Sequence, residues 1–177
     1  MEKLEFECKT LSPLDGRYGK IKDALGDYFS EYALVKYRVF VEIQWLKYLI
    51  EHVDTPVLND AKARDLSGVA KISSEFNYDS YKRIKEIEAT TRHDVKAVEY
   101  FIDEKLKELG FEHLESFVHI GCTSEDINNT SYGCMIRDGL KNVWLPAATE
   151  FAKTIDGLAI KDAHLPMLAH THGQPAT

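Results

Sequence analysis

Cysteine is scarce in this chain: three residues, Cys8, Cys122 and Cys134, in 177. An odd number without close pairing is not a disulfide framework, so a reducing compartment is expected, and a cytoplasmic location with it. No apolar run approaches the roughly 20 residues needed to span a bilayer. The first residues, Met1-Glu2-Lys3-Leu4-Glu5-Phe6-Glu7, are charged throughout. They have no apolar h-region, so no secretion signal is expected there. Basic runs are lacking too, and the formal net charge is −7. That argues against general nucleic-acid binding, because nothing would neutralise a phosphate backbone. A small anion is not excluded, since a few local cations and helix N-termini can bind one inside an acidic protein. With ten Gly and five Pro the chain is neither low-complexity nor disordered.

What is present is helical periodicity. The first 29 residues look irregular, with turn formers dense in Ser12-Pro13-Leu14-Asp15-Gly16-Arg17-Tyr18-Gly19. Ser30 then offers an N-cap. Leu34, Tyr37, Val41, Trp45 and Leu49 predict one buried helix face to about residue 51. Thr55-Pro56 breaks it. A second helix is predicted over 60–75 and a third over 80–88, interrupted by Ala89-Thr90-Thr91-Arg92-His93. Asp94 starts a fourth, with Val95, Val98, Phe101, Ile102 and Leu106 inward and Gly110 as its C-cap.

The longest element opens at Thr123-Ser124-Glu125-Asp126, a capping-box-like start. Ile136, Leu140, Val143, Ala147, Phe151, Ile155 and Leu158 recur at steps of three or four. The phase survives Pro146, which predicts a kink there and a helix to about residue 161, roughly 55 Å long. So long a stripe calls for a bundle with further chain or other subunits. No segment alternates like a strand. The expected fold is all-α: an N-terminal helical domain, 1–115, then the start of a long-helix central bundle, 116–177.

Four loop-to-helix junctions hold residues suited to chemistry. In Asp15-Gly16-Arg17-Tyr18 an Arg fork could bind carboxylate or phosphate, or the segment could be an ordinary turn. In Thr90-Thr91-Arg92-His93-Asp94, hydroxyls and a cationic pair precede a helix N-terminus, an anion site or merely a cap. His119-Ile120-Gly121-Cys122-Thr123-Ser124-Glu125-Asp126-Ile127-Asn128-Asn129 is a capping box with more polar residues than capping needs. Cys122 reads as a small buried filler. In His170-Thr171-His172-Gly173-Gln174-Pro175-Ala176-Thr177, two histidines sit in a Gly/Pro-containing turn, which suits proton transfer. With His164 they have metal-like spacing, but no Cys or carboxylate cluster accompanies them, and no metal is expected. A solvated or packed His pair is the plainer alternative.

At these residues the chain closely resembles the adenylosuccinate lyase family of the fumarase/aspartase superfamily. The matching segments are Ser12-Pro13-Leu14-Asp15-Gly16-Arg17-Tyr18, Thr91-Arg92-His93-Asp94-Val95-Lys96-Ala97-Val98-Glu99-Tyr100-Phe101, Cys122-Thr123-Ser124-Glu125-Asp126-Ile127-Asn128-Asn129 and Thr171-His172-Gly173-Gln174-Pro175-Ala176-Thr177. Arg92 stands where the family usually has Asn or Lys. The resemblance implies β-elimination of fumarate from adenylosuccinate, giving AMP, and from the succinylated carboxamide intermediate SAICAR, without a cofactor. It implies His172 as general acid, Arg17, Tyr18, Arg92, His93 and Asp94 as nucleotide-binding, and Thr123 and Ser124 on the succinyl carboxylates. It implies a homotetramer whose active sites draw on three subunits. The family's base, a serine on a Gly/Ser-rich loop beside Met-Pro-x-Lys-x-Asn, has no counterpart in this chain. The chain is therefore expected to be an N-terminal portion, inactive alone. A sibling lyase, of the argininosuccinate type, and a non-catalytic helical module are the competing readings.

Overall fold

The computed structural model describes residues 15, 18–166 and 168–176. Arg17, Cys8 and the Ser12-Pro13-Leu14 turn of the first junction lie outside them. The chain falls into two compact units, Met1–Gly139 and Leu140–Thr177. The fold is all-α, apart from one two-stranded hairpin.

The first unit opens with α1, Gly19–Phe29. This corrects the expectation of an irregular start: Gly19 and Gly26, both poor helix formers, hide a helix that packs on its successors. The next helix, α2, runs Glu31–His52. Its N-cap is the predicted Ser30, whose hydroxyl accepts the Ala33 N–H at 3.2 Å.

The buried face of α2 matches the predicted one only in part: Val41 and Leu49 are buried as expected. Val35, Val39, Ile43, Leu46 and Ile50 enter the main core, while Leu34, Tyr37 and Trp45 are only half-buried. The physical reason is that α2 is packed on both sides, against α1 and the later helices. A helix surrounded by neighbours loses its single apolar stripe.

The predicted second helix is two short ones, α3 (Pro56–Lys62) and α4 (Ser67–Ser74). Thr55 caps α3 and Pro56 takes a first-turn position, where its missing N–H costs nothing. The third predicted helix extends at both ends to become α5, Tyr78–Thr91. Asn77 caps it, and Ala89, Thr90 and Thr91 stay helical until Arg92 turns left-handed at φ 53°. The next helix, α6, spans Asp94–Glu108, and all five of its predicted inward residues are buried. Gly110, at φ 73°, ends it as expected. A 3₁₀ turn, Glu112–Phe117, adds Leu114 to the core. The last helix of this unit, α7 (Ser124–Gly139), packs along α1 and α2. Gly139 is where Phe29 comes closest: a Cβ there would stand 2.6 Å from the ring.

The second unit begins with a π turn, Leu140–Trp144, followed by α8, Leu145–Asp162. The irregularity thus precedes Pro146. Its ring excludes the carbonyl four residues back, and a widened π turn accommodates that. Phe151, Ile155 and Leu158 of the predicted stripe are exposed. The hairpin, β1 (Ala169–Thr171) and β2 (Gln174–Ala176), corrects the expectation of no strands. Three-residue strands are too short for alternation to be readable.

Candidate functional site

The second junction is built around a capped helix end. His93 is the N-cap of α6, and its Nδ1 accepts the Lys96 N–H at 3.2 Å. A ring nitrogen that accepts is unprotonated, so Nε2 carries the proton and can donate to an anionic oxygen. The neighbouring Asp94 Oδ1, 3.8 Å from the same Nδ1, would pair with it only if the ring were charged. The Thr91 hydroxyl donates to the His93 carbonyl at 3.2 Å. Arg92 is exposed and makes no ion pair among the described residues. A single cationic side chain, an imidazole N–H and a helix N-terminus therefore share one exposed corner.

Asp94 faces inward. Its Oδ2 lies 2.7 Å from Nη2 of Arg38, and its Oδ1 accepts the Val95 N–H at 2.9 Å. Burial alone would raise the Asp94 pKa, but the Arg38 charge and the backbone donor outweigh it and hold the carboxyl below its usual range. Arg38 also donates from Nε to Asn128 Oδ1 at 2.9 Å. The second and third junctions, far apart in sequence, are thus joined by one guanidinium.

The third junction is gripped by the same face of α2, one and two turns further on. Glu42 Oε1 is 2.6 Å from His119 Nδ1, and the Trp45 indole donates to the Ile120 carbonyl at 2.9 Å. His119 holds φ 61° and Gly121 φ 74°, so the chain turns sharply into α7. The capping box forms in one direction only. Asp126 Oδ2 accepts both the Thr123 N–H, at 2.7 Å, and the Thr123 hydroxyl, at 3.0 Å. Those two donors hold the Asp126 carboxyl below its usual pKa. Ser124 is the first residue of α7 and half-buried. Cys122 is half-buried too, and burial with the nearby Glu42 and Asp126 pushes its thiol up, away from reactivity.

Tyr18 is exposed and precedes α1. His172 belongs to the second unit, where His172 and Gly173 are the two central residues of the hairpin turn, at φ 50° and 76°. Positive φ at both is what a type I′ turn requires. His170, on β1, and His172 are both exposed. Among the described residues no group of three His, Cys, Asp or Glu side chains is placed to hold a metal ion. No described helix is long and apolar enough to cross a membrane.

Two cavities near these junctions do not suit an anion. One, of about 340 Å³ between α2 and α7, has Phe40, Trp45, Tyr48 and Ile127 in its wall. Another, of about 530 Å³ beside Thr90 and Thr91, has four carboxylates, Glu86, Asp103, Glu104 and Glu115, against Arg83 and Lys107. Its Arg83 is already committed to Glu86 and Glu104.

Arg38 and Glu42 are the site residues that periodicity missed. The signal was there: two charges four apart inside Arg38-Val39-Phe40-Val41-Glu42-Ile43, an otherwise apolar run. Charges in such a run must be paired inside or turned outward.

The lyase family model matches residues 16–177. The adenylosuccinate lyase of Escherichia coli (strain K12) is 44% identical over 168 residues, covering 94% of this chain and 37% of that protein. Those of Buchnera aphidicola and Dictyostelium discoideum are 40% and 43% identical, with the same coverage. The chain spans about 37% of the length of the curated relatives it matches. With the family match covering residues 16–177, this chain belongs to the lyase family.

Proposed function

We propose that the complete gene product is an adenylosuccinate lyase, eliminating fumarate from adenylosuccinate to give AMP and from SAICAR to give AICAR. The observation that carries this reading is 44% identity, over 94% of the chain, to a protein named for that reaction. The chemistry needs a base at the carbon beside a carboxylate, an acid at the departing nitrogen, and donors for the developing negative charge. In this reading His172 protonates the leaving nitrogen. Arg17, Tyr18, Arg92, His93 and Asp94 form the nucleotide site, and Thr123 and Ser124 hold the succinyl carboxylates. The donor-ready Nε2 of His93 and the turn that fixes His172 are compatible with those roles.

The base is a serine on a loop that this chain does not contain, so these 177 residues are inactive alone. The working form is a cytoplasmic homotetramer with shared active sites, in which residues from 116 onward enter a common central bundle. The exposed apolar residues of α8 support that arrangement. The test is fumarate release from adenylosuccinate by the complete gene product. Release from argininosuccinate instead, by a folded tetramer, would move the assignment to a sibling lyase.

A further inference from the structure

Arg38 belongs to none of the four junctions, yet two of them meet on it. It is 5% exposed. Its Nη2 reaches Asp94 at 2.7 Å and its Nε reaches Asn128 at 2.9 Å, so two edges of the guanidinium serve two different elements, the start of α6 and the second turn of α7. Burying a cation is costly, and an apolar side chain of similar length would fill the same space without that cost. The stability of the helices therefore gives no reason for an arginine here. A residue two positions before its partner adds to the argument: Arg92 is held left-handed at φ 53°, a strained conformation for a non-glycine. Strain of that kind persists only where neighbours hold the chain in place, and the Arg38–Asp94 pair is one such hold.

We propose that Arg38 is a positioning residue for the lyase reaction. It touches no substrate. It fixes the His93-Asp94 junction against α7, and so sets the spacing between the groups that hold the nucleotide and those that hold the succinyl carboxylates. This inference rests on the lyase reading above. A lysine at 38 would keep the charge but cannot present a fork to two partners. Asp94 is half-exposed, so losing the guanidinium leaves its carboxylate to water and does not strand a buried charge.

The test uses the complete gene product with Arg38→Lys and Arg38→Met, reading kcat, KM, melting temperature and amide exchange at residues 93–97. Arg38→Lys should lower kcat/KM for adenylosuccinate by about 10- to 100-fold, the loss expected from misplaced binding groups. KM should carry most of it, and the melting temperature should stay near the wild-type value. Adding Asn128→Ala to Arg38→Lys should cost nothing further, because both remove one link. A kcat/KM close to wild type in both Arg38 variants overturns the inference, as does a loss that only follows a falling melting temperature. Should the wild type release no fumarate from adenylosuccinate, the lyase reading fails by itself. Amide exchange then still decides: faster exchange at 93–97 in Arg38→Lys, with α6 around Phe101 unchanged, sustains the positioning role, and unchanged exchange at 93–97 removes it.

Discussion

Glu42 Oε1 lies 2.6 Å from His119 Nδ1, while Glu42 Oε2 is buried without a hydrogen-bond partner among the described residues. The carboxylate is half-satisfied at full burial, and that decides its titration. Burial raises the Glu42 pKa, and the His119 hydrogen bond only partly offsets it. A group whose folded pKa is raised contributes stability at low pH and loses it as pH rises through the folded value. Glu42→Gln cannot ionise, so it escapes that loss. In the complete protein its melting temperature should match wild type below pH 4.5, the ordinary carboxyl value, and exceed it at pH 8. A wild type more stable than Glu42→Gln at pH 8 would show that the His119 pairing outweighs burial.

The core gives a plainer expectation. Phe101 is 2% exposed and meets Phe76 edge-on, with ring centroids 6.4 Å apart. Phe101→Ala removes both the transfer energy and the packing around the hole, a destabilisation of about 3–5 kcal/mol. Denaturant unfolding would measure it. A loss below about 1 kcal/mol would mean that α5 and α6 collapse into the space.

These two positions show what the sequence reveals and what it conceals. Phe101 was legible because α6 has one wet side: Val95, Val98, Ile102 and Leu106 repeat at helical spacing, and all are buried. Ser30 and Gly110 were legible because caps have a local chemistry. Glu42 and Arg38 were passed over because periodicity assigns a charge to solvent, although the apolar run around them pointed to burial, and α6 and α7 packing onto α2 place both inside. The hairpin was hidden by its shortness, although His172-Gly173 has the residue types that a positive-φ turn favours. The junctions themselves stood out by composition, but the link between the second and third passes through a residue outside both.

Asp103 provides a second titration, on the far side of α6. Burial, with Glu115 nearby, raises its pKa from 3.8 to about 6. Its Oδ1 has no hydrogen-bond partner among the described residues. The sign follows as for Glu42: stability is present below pH 3.8 and lost as pH rises through about 6. Asp103→Asn should therefore stabilise the protein at pH 7.5 and be neutral below pH 4. Because the group is half-exposed, solvent screening cuts the gain to about 1 kcal/mol. Equal melting temperatures for the two proteins at pH 7.5 would show that Lys96 and Lys107 already compensate the charge.

His172 has two separable properties, a left-handed backbone and an ionisable ring. It holds φ 50° beside Gly173 at φ 76° in the two-residue turn between β1 and β2. Alanine disfavours that backbone, whereas asparagine tolerates it but cannot transfer a proton near neutral pH. If the ring is the general acid, His172→Asn and His172→Ala should each lower kcat for adenylosuccinate in the complete enzyme by about 10²-fold or more. If only the turn matters, the asparagine variant should keep near-wild-type kcat while the alanine variant falls. Steady-state kinetics of the two side by side tell these apart, and the first pattern assigns the proton to His172.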